Sequence, residues 1–489
     1  MPSAEFGPED HERPKVKQAI DSTLASHVAC VSRWGATLVS STRRRYAASI
    51  GVLYAATLFN SIAPAGPISP EFDQAVLLAI DGLDAEGEVL AKLRSARKAY
   101  QRGDLPACRT LLEEAESLEP RLPPSKVILA RFYFTDGRLA EGRVELERAA
   151  IEREHPELHL AFGSLAIAEN RLADALLHYE KLIAAENIPS SWPQQQRDRL
   201  SIEALAGLAL VYSRRQQWDR ADELLSEWIH LDPESAVAFQ RRAGTRFSRE
   251  RVDDALDDLR AASKLDPTLE PAALAMAGLF ASANDKPNAA AWFSRAVQEH
   301  PDRHEVYQEH AAWLFLQGEL DTAAAEIARA AEISGDSRDI LILSGMIARA
   351  RGEFREASDI FARLYQESPG DPMIANHWAL VLVEMPLRGE KALELAELNL
   401  RQAPNNPSAQ ATLGWIHFRQ GRIREAEYFL RGATASRQTS SDIAYFLGRL
   451  ELEKGNGQEA RELFRAAVEA DGHAYYRDQA TIWLAKTDE

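Results

Sequence analysis

Residues 337–371 read SRDILILSGMIARARGEFREASDIFARLYQESPGD, and this stretch decides the fold. Residues 339–348 (DILILSGMIA) predict a first helix. Arg351, Gly352 and Glu353 follow as a turn, with Gly352 free to take the left-handed backbone that ends a helix. A second helix is expected from Phe354 to Glu367, and Pro369 stops it because proline has no N–H for the ladder. Gly345 and Ala357 are small where the two helices must approach to ~8–10 Å. Leu343, Phe354 and Phe361 fill the space around that crossing.

Working outward, the same spacing returns. Ala221, Ala255, Ala289, Ala323 and Ala357 step by 34 residues. Pro233, Pro267, Pro301 and Pro369 keep that step, and Gly335 fills the missing place. A fixed period of this length marks a stacked helical array, in which each unit buries its face only against its neighbours. Leu413, Gly414, Trp415, Gly421, Ala426, Leu430 and Ala433 repeat the motif, as do Leu447, Gly448, Gly455, Ala460, Phe464 and Ala467. Turn glycines keep step in pairs: Gly103 with Gly137, Gly318 with Gly352, Gly421 with Gly455.

These residues resemble the tetratricopeptide repeat, with a small residue in each helix, a bulky one near the second and a closing proline. The resemblance implies an all-α fold: an α-α superhelix (solenoid) of tetratricopeptide repeats with a non-repeat N-terminal segment. Eleven units are expected, beginning near 89, 123, 156, 202, 236, 270, 304, 338, 372, 407 and 441. The first three (89–189) are degenerate, with Cys108 and Gly142 in place of the second-helix alanine. Residues 190–201 (SSWPQQQRDRLS) are an insertion, read as a short loop and an elongated helix reaching Arg214, since Pro193 suits a first helical turn. Repeats 4–11 occupy 202–473, with an irregular turn around Met385, Pro386 and Leu387. Residues 474–489, with Tyr475, Tyr476, Ile482 and Trp483, read as a C-terminal capping helix, which arrays need for solubility.

The chain has 489 residues, 45% of them hydrophobic, and a net charge of −17. That balance argues against nucleic acid as a partner, because neutralising phosphates needs clustered Lys and Arg. The two cysteines exclude a disulfide framework and a four-cysteine zinc site, and Cys108 sits at a packing position.

Residues 1–88 do not repeat. They are read as a cytoplasmic or presequence segment (1–45), a candidate signal or transmembrane segment (46–65), and a linker with N-terminal cap (66–88). Arg43, Arg44 and Arg45 precede an uncharged run ending at Ala63, Pro64 and Ala65, the three parts of an export signal with a twin-arginine flavour. The run is also long enough for a single membrane anchor oriented by the arginines. The other reading is a packed helical hairpin, for which Val16, Ile20, Leu24, Val28, Val31 and Leu38 have amphipathic spacing.

Little chemistry is visible. His155 and His159, and likewise His300 and His304, flank a proline at a repeat junction and do not share a helical face, so no metal and no other cofactor is expected. No phosphate-cradling loop, nucleophile elbow or dinucleotide turn occurs. Acidic pairs such as Asp253 with Asp254 and Asp257 with Asp258 read as solvated faces. The chain is not expected to be an enzyme.

In the family that the repeats resemble, first helices line the concave groove. Carried onto this chain, that lining includes Phe315, Met346, Val383, Trp415, Phe418 and Tyr445, with Arg349, Arg419 and Arg449 beside them. Such residues are enriched in interface hot spots, so a protein or peptide in the groove is the expected partner. The competing arrangement buries the same side chains against each other or under the capping helix. A carboxylate clamp is disfavoured, since Asn376 is the one asparagine found on the later first helices. Two function classes follow: an interaction scaffold at the cell envelope, or a cytoplasmic regulatory or accessory subunit. Composition leaves the oligomeric state open.

Overall fold

A computed structural model describes residues 87–184, 188–434, 440–470 and 475–487. Arg43, Arg44, Arg45 and the 46–65 segment lie outside them. The described residues form two compact units, 87–265 and 266–487.

The first unit holds α1 (Gly87–Gln101), α2 (Leu105–Leu118), α3 (Ser125–Thr135), α4 (Leu139–Glu152), α5 (Pro156–Ala168), α6 (Leu172–Ile183), α7 (Gln194–Arg214), α8 (Trp218–Leu231), α9 (Ala236–Ser248) and α10 (Val252–Leu265). The second holds α11 (Ala272–Ser282), α12 (Lys286–Glu299), α13 (His304–Gln317), α14 (Leu320–Ser334), α15 (Arg338–Ala350), α16 (Phe354–Glu367), α17 (Pro372–Leu382), α18 (Gly389–Gln402), α19 (Pro407–Arg419), α20 (Ile423–Ala433), α21 (Ser441–Glu453), α22 (Gly457–Glu469) and α23 (Tyr475–Thr487). Among the described residues there is no strand.

Each odd-numbered helix up to α21 forms a hairpin with the one after it. The hairpin is closed by small residues. Ala221, Ala255, Ala289, Ala323 and Ala357 are all 0% exposed. A Cβ at Gly345 would stand 2.8 Å from the Phe361 ring, and at Gly448 2.6 Å from Phe464, so glycine is required there. Gly352 has φ +78, as read from the sequence; repeats without this glycine force the same turn onto Gln216 (φ 58) and Glu250 (φ 61). Starts are equally local: Ser337 accepts from the Ile340 amide, and Asp371 from those of Met373 and Ile374. Pro372 and Pro407 open their helices where a missing N–H costs nothing.

First helices also touch first helices of the next repeat, α13 on α15, α15 on α17, α17 on α19 and α19 on α21. Their inward side chains therefore form one continuous face in the second unit. Helix α23 packs on α22 and α21. Among the described residues no helix is long and apolar enough to cross a membrane.

Asp258 corrects the expectation of solvated acidic faces. It is buried, and its two oxygens accept from Arg242 at 2.7 and 3.0 Å, with Arg246 2.9 Å away. It faces the preceding first helix rather than water, and the arginines compensate its burial. Cys108 is fully buried, and that burial pushes its thiol up to about 11.

Candidate functional site

The inner face of the second unit collects aromatic and guanidinium groups at its C-terminal end. Trp415, on α19, is the centre. Its indole stacks on Phe418 (centroids 5.2 Å) and Phe446 (4.6 Å), and meets Tyr445 and Tyr476 edge-on at 5.6 and 5.5 Å. The Arg419 guanidinium lies 5.5 Å over it.

Glu384, just past the end of α17, is the polar hub. One carboxylate oxygen accepts from the Trp415 indole N–H at 3.1 Å and from the Tyr476 hydroxyl at 2.8 Å, and the other from Arg419. Tyr476 comes from α23, so this contact joins groups 92 residues apart. Arg349 on α15 donates to Asp442 on α21 at 3.2 Å and lies 5.1 Å over the Tyr476 ring. Burial opposes its charge, but Asp442 wins and holds its pKa above the ordinary value. Burial likewise pushes the Tyr476 phenol well above its usual range, so it stays a neutral donor. Arg449 donates to the Tyr445 hydroxyl at 3.1 Å and stacks 4.4 Å from Trp483.

The structure therefore brings together Arg349, Val383, Trp415, Phe418, Arg419, Tyr445 and Arg449. Met346 packs into the neighbouring cluster around Ile342 and Phe361. Phe315, on α13, is buried outside both clusters. Exposure is where the expectation needs correcting: Trp415 is 1% exposed, Tyr445 3% and Arg349 7%. Helix α23 covers them instead of merely ending the array, reaching back until Tyr475 meets Phe354 edge-on at 5.2 Å. Glu384, Asp442 and Tyr476 were missed as site residues. Nothing local marked either carboxylate, since Glu384 lies just past the end of α17 and Asp442 in the first turn of α21.

Other candidates resolve locally. Asn376 accepts from Asn399 at 3.3 Å. His155 caps α5 by accepting the Glu157 amide, while His159 faces His178 with 3.3 Å between Nδ1 atoms. Among the described residues no three His, Cys, Asp or Glu side chains are grouped to hold a metal ion.

The family model for the tetratricopeptide repeat matches residues 241–304 and 412–475. The chain is a tetratricopeptide repeat protein. Such a fold is that of a protein-interaction scaffold. A TPR repeat-containing protein of Pseudomonas aeruginosa is 25% identical over 179 residues, 36% of this tetratricopeptide repeat chain and 30% of its relative. The match thus spans under a third of that relative's length. Among solved structures, yeast Tom70 is 16% identical, covering 82% of this chain and 95% of that one, with a TM-score of 0.33. A human IFIT1 dimer with m7Gppp-AAAA is 17% identical, covering 88% and 90%, with a TM-score of 0.37.

Proposed function

We propose that this tetratricopeptide repeat protein is a non-catalytic protein–protein interaction scaffold that takes a partner protein or peptide on the first-helix face of its second unit. The observation that carries this is the convergence of Trp415, Phe418, Tyr445, Arg349, Arg419 and Arg449 from three first helices onto one face. Trp, Tyr and Arg dominate the energetics of protein interfaces. Phe418 is the best probe, since it is only partly buried, whereas a fully buried Trp415 would report folding. Affinity purification of the tagged full chain should lose its stoichiometric partner on Phe418→Ala, with the thermal melt changed by no more than a few degrees. Undiminished recovery of that partner would remove the face from consideration.

Placement at the cell envelope is the second part of the proposal and rests on Arg43, Arg44, Arg45 and the uncharged run after them. Replacing all three arginines with glutamine should then change fractionation and protease accessibility. Wild-type protein recovered wholly in the cytoplasmic fraction would favour the accessory-subunit alternative.

A further inference from the structure

A cap that only closed an apolar array would need an apolar seat. Helix α23 instead covers three guanidiniums and two carboxylates on the inner face. Arg349 pairs with Asp442 and Arg419 with Glu384. Arg449 has no carboxylate partner among the described residues, and makes do with a phenol hydroxyl and aromatic faces. Under the cap, Arg349 Nε, Arg449 Nε and Asp442 Oδ1 are buried without a hydrogen-bond partner among the described residues. Each such orphan costs stability that a well-matched occupant would recover. The cap is thus a serviceable but imperfect ligand for this seat.

We infer that α23 is a displaceable intramolecular ligand, and that the seat beneath it is an interaction surface for a partner segment presenting an aromatic ring close to a carboxylate. The ring takes the place of Tyr476 between Trp415, Phe446 and Arg349. The carboxylate answers Arg449, the one guanidinium of the three that lacks an acid among the described residues. Tethering gives the cap an effective concentration of about millimolar, so a partner must bind well to replace it, and a weak one is rejected. This rests on the scaffold reading and adds to it both the partner's chemistry and a mechanism of occlusion.

Two measurements test the inference on the full chain. Hydrogen exchange on the wild type should show the amides of α23 exchanging at least tenfold faster than those of α21. Equal protection in the two helices would make α23 a fixed part of the fold and overturn the inference, with no variant required. In the second, a labelled synthetic peptide of residues 475–489 is titrated against wild type and Tyr476→Ala. The variant, its own cap weakened, should bind at least tenfold more tightly than wild type, and a Tyr476→Ala peptide should not bind. A well-folded variant that takes no peptide overturns the inference. A Trp483→Glu peptide, which sets a carboxylate where the indole now stacks on Arg449, should compete more strongly than the unmodified one. Equal or weaker competition removes the carboxylate from the partner's chemistry. Peptide binding without any partner capture by the chain sinks the scaffold reading alone, and capture without peptide binding sinks this inference alone.

Discussion

Tyr179 lies between two glycines, and Gly207→Ala is the sharpest way to ask whether close approach sets the array. An added Cβ at Gly207 would fall 2.4, 2.5 and 2.8 Å from three carbons of the Tyr179 ring. The ring has little room to yield. It is 2% exposed, Gly163 backs it so closely that a Cβ there would be 2.7 Å away, and its hydroxyl lies 3.2 Å from that of Ser164. Two effects oppose each other. Alanine gains about 1 kcal/mol over glycine in a helix interior. Overpacking costs about 1–3 kcal/mol, and contacts this short belong at the upper end. The net expectation is a loss of about 1–2 kcal/mol, read as a lower urea midpoint with an unchanged slope. In a Tyr179→Leu background the obstacle shrinks, so Gly207→Ala should become neutral or stabilising there. A coupling of about 1–3 kcal/mol in that cycle follows. A neutral or stabilising Gly207→Ala in the wild-type background would refute the reasoning.

Other expectations follow from the same structure. Ala289→Leu and Ala323→Leu each insert three carbons at fully buried hairpin contacts and should cost about 1–3 kcal/mol in thermal melts. Glu250→Gly should raise the melting temperature, by relief of about 1 kcal/mol of backbone strain at φ 61; an unchanged or lower melt counts against it. Burial depresses His155 from its usual range to about 4. The unfolded chain therefore binds a proton at this position before the folded one does, and stability present above pH 6.5 is lost as pH falls towards 4. That one ring accounts for about 2 kcal/mol between pH 6.5 and 4.5, and His377, depressed to about 3 by burial and by Arg349, acts in the same direction. Glu309 runs the other way: burial first, then Glu270, raises it to about 7, so its contribution is present below about pH 4.5 and lost as pH rises through 7. Urea midpoints of wild type, His155→Gln and Glu309→Gln across pH 4.5–8 separate the terms. Glu309→Gln should stabilise at pH 8 and lose that advantage at pH 4.5.

The repeat architecture was legible because everything that sets it is local. The 34-residue step, the left-handed turn at Gly352, the N-cap at Ser337 and the small residue at Ala357 all act within one hairpin or between neighbours. Periodicity also named most of the inner-face residues, since phase along a helix determines which side a residue occupies. It could not say whether that side is open to solvent. The sequence places Tyr476 on a terminal helix, yet only the path of the array brings its hydroxyl to Glu384, 92 residues away, and Asp442 to Arg349, 93 residues away. Asp258 failed in the same way: its sequence neighbours are acidic and exposed, while the arginines that bury it sit on the preceding helix. Periodicity is a short-range property of the chain, whereas burial is decided by what arrives from elsewhere. The sequence by itself determined the helices, their pairing and the inner face; the tertiary structure alone decided that the chain's own last helix lies on it.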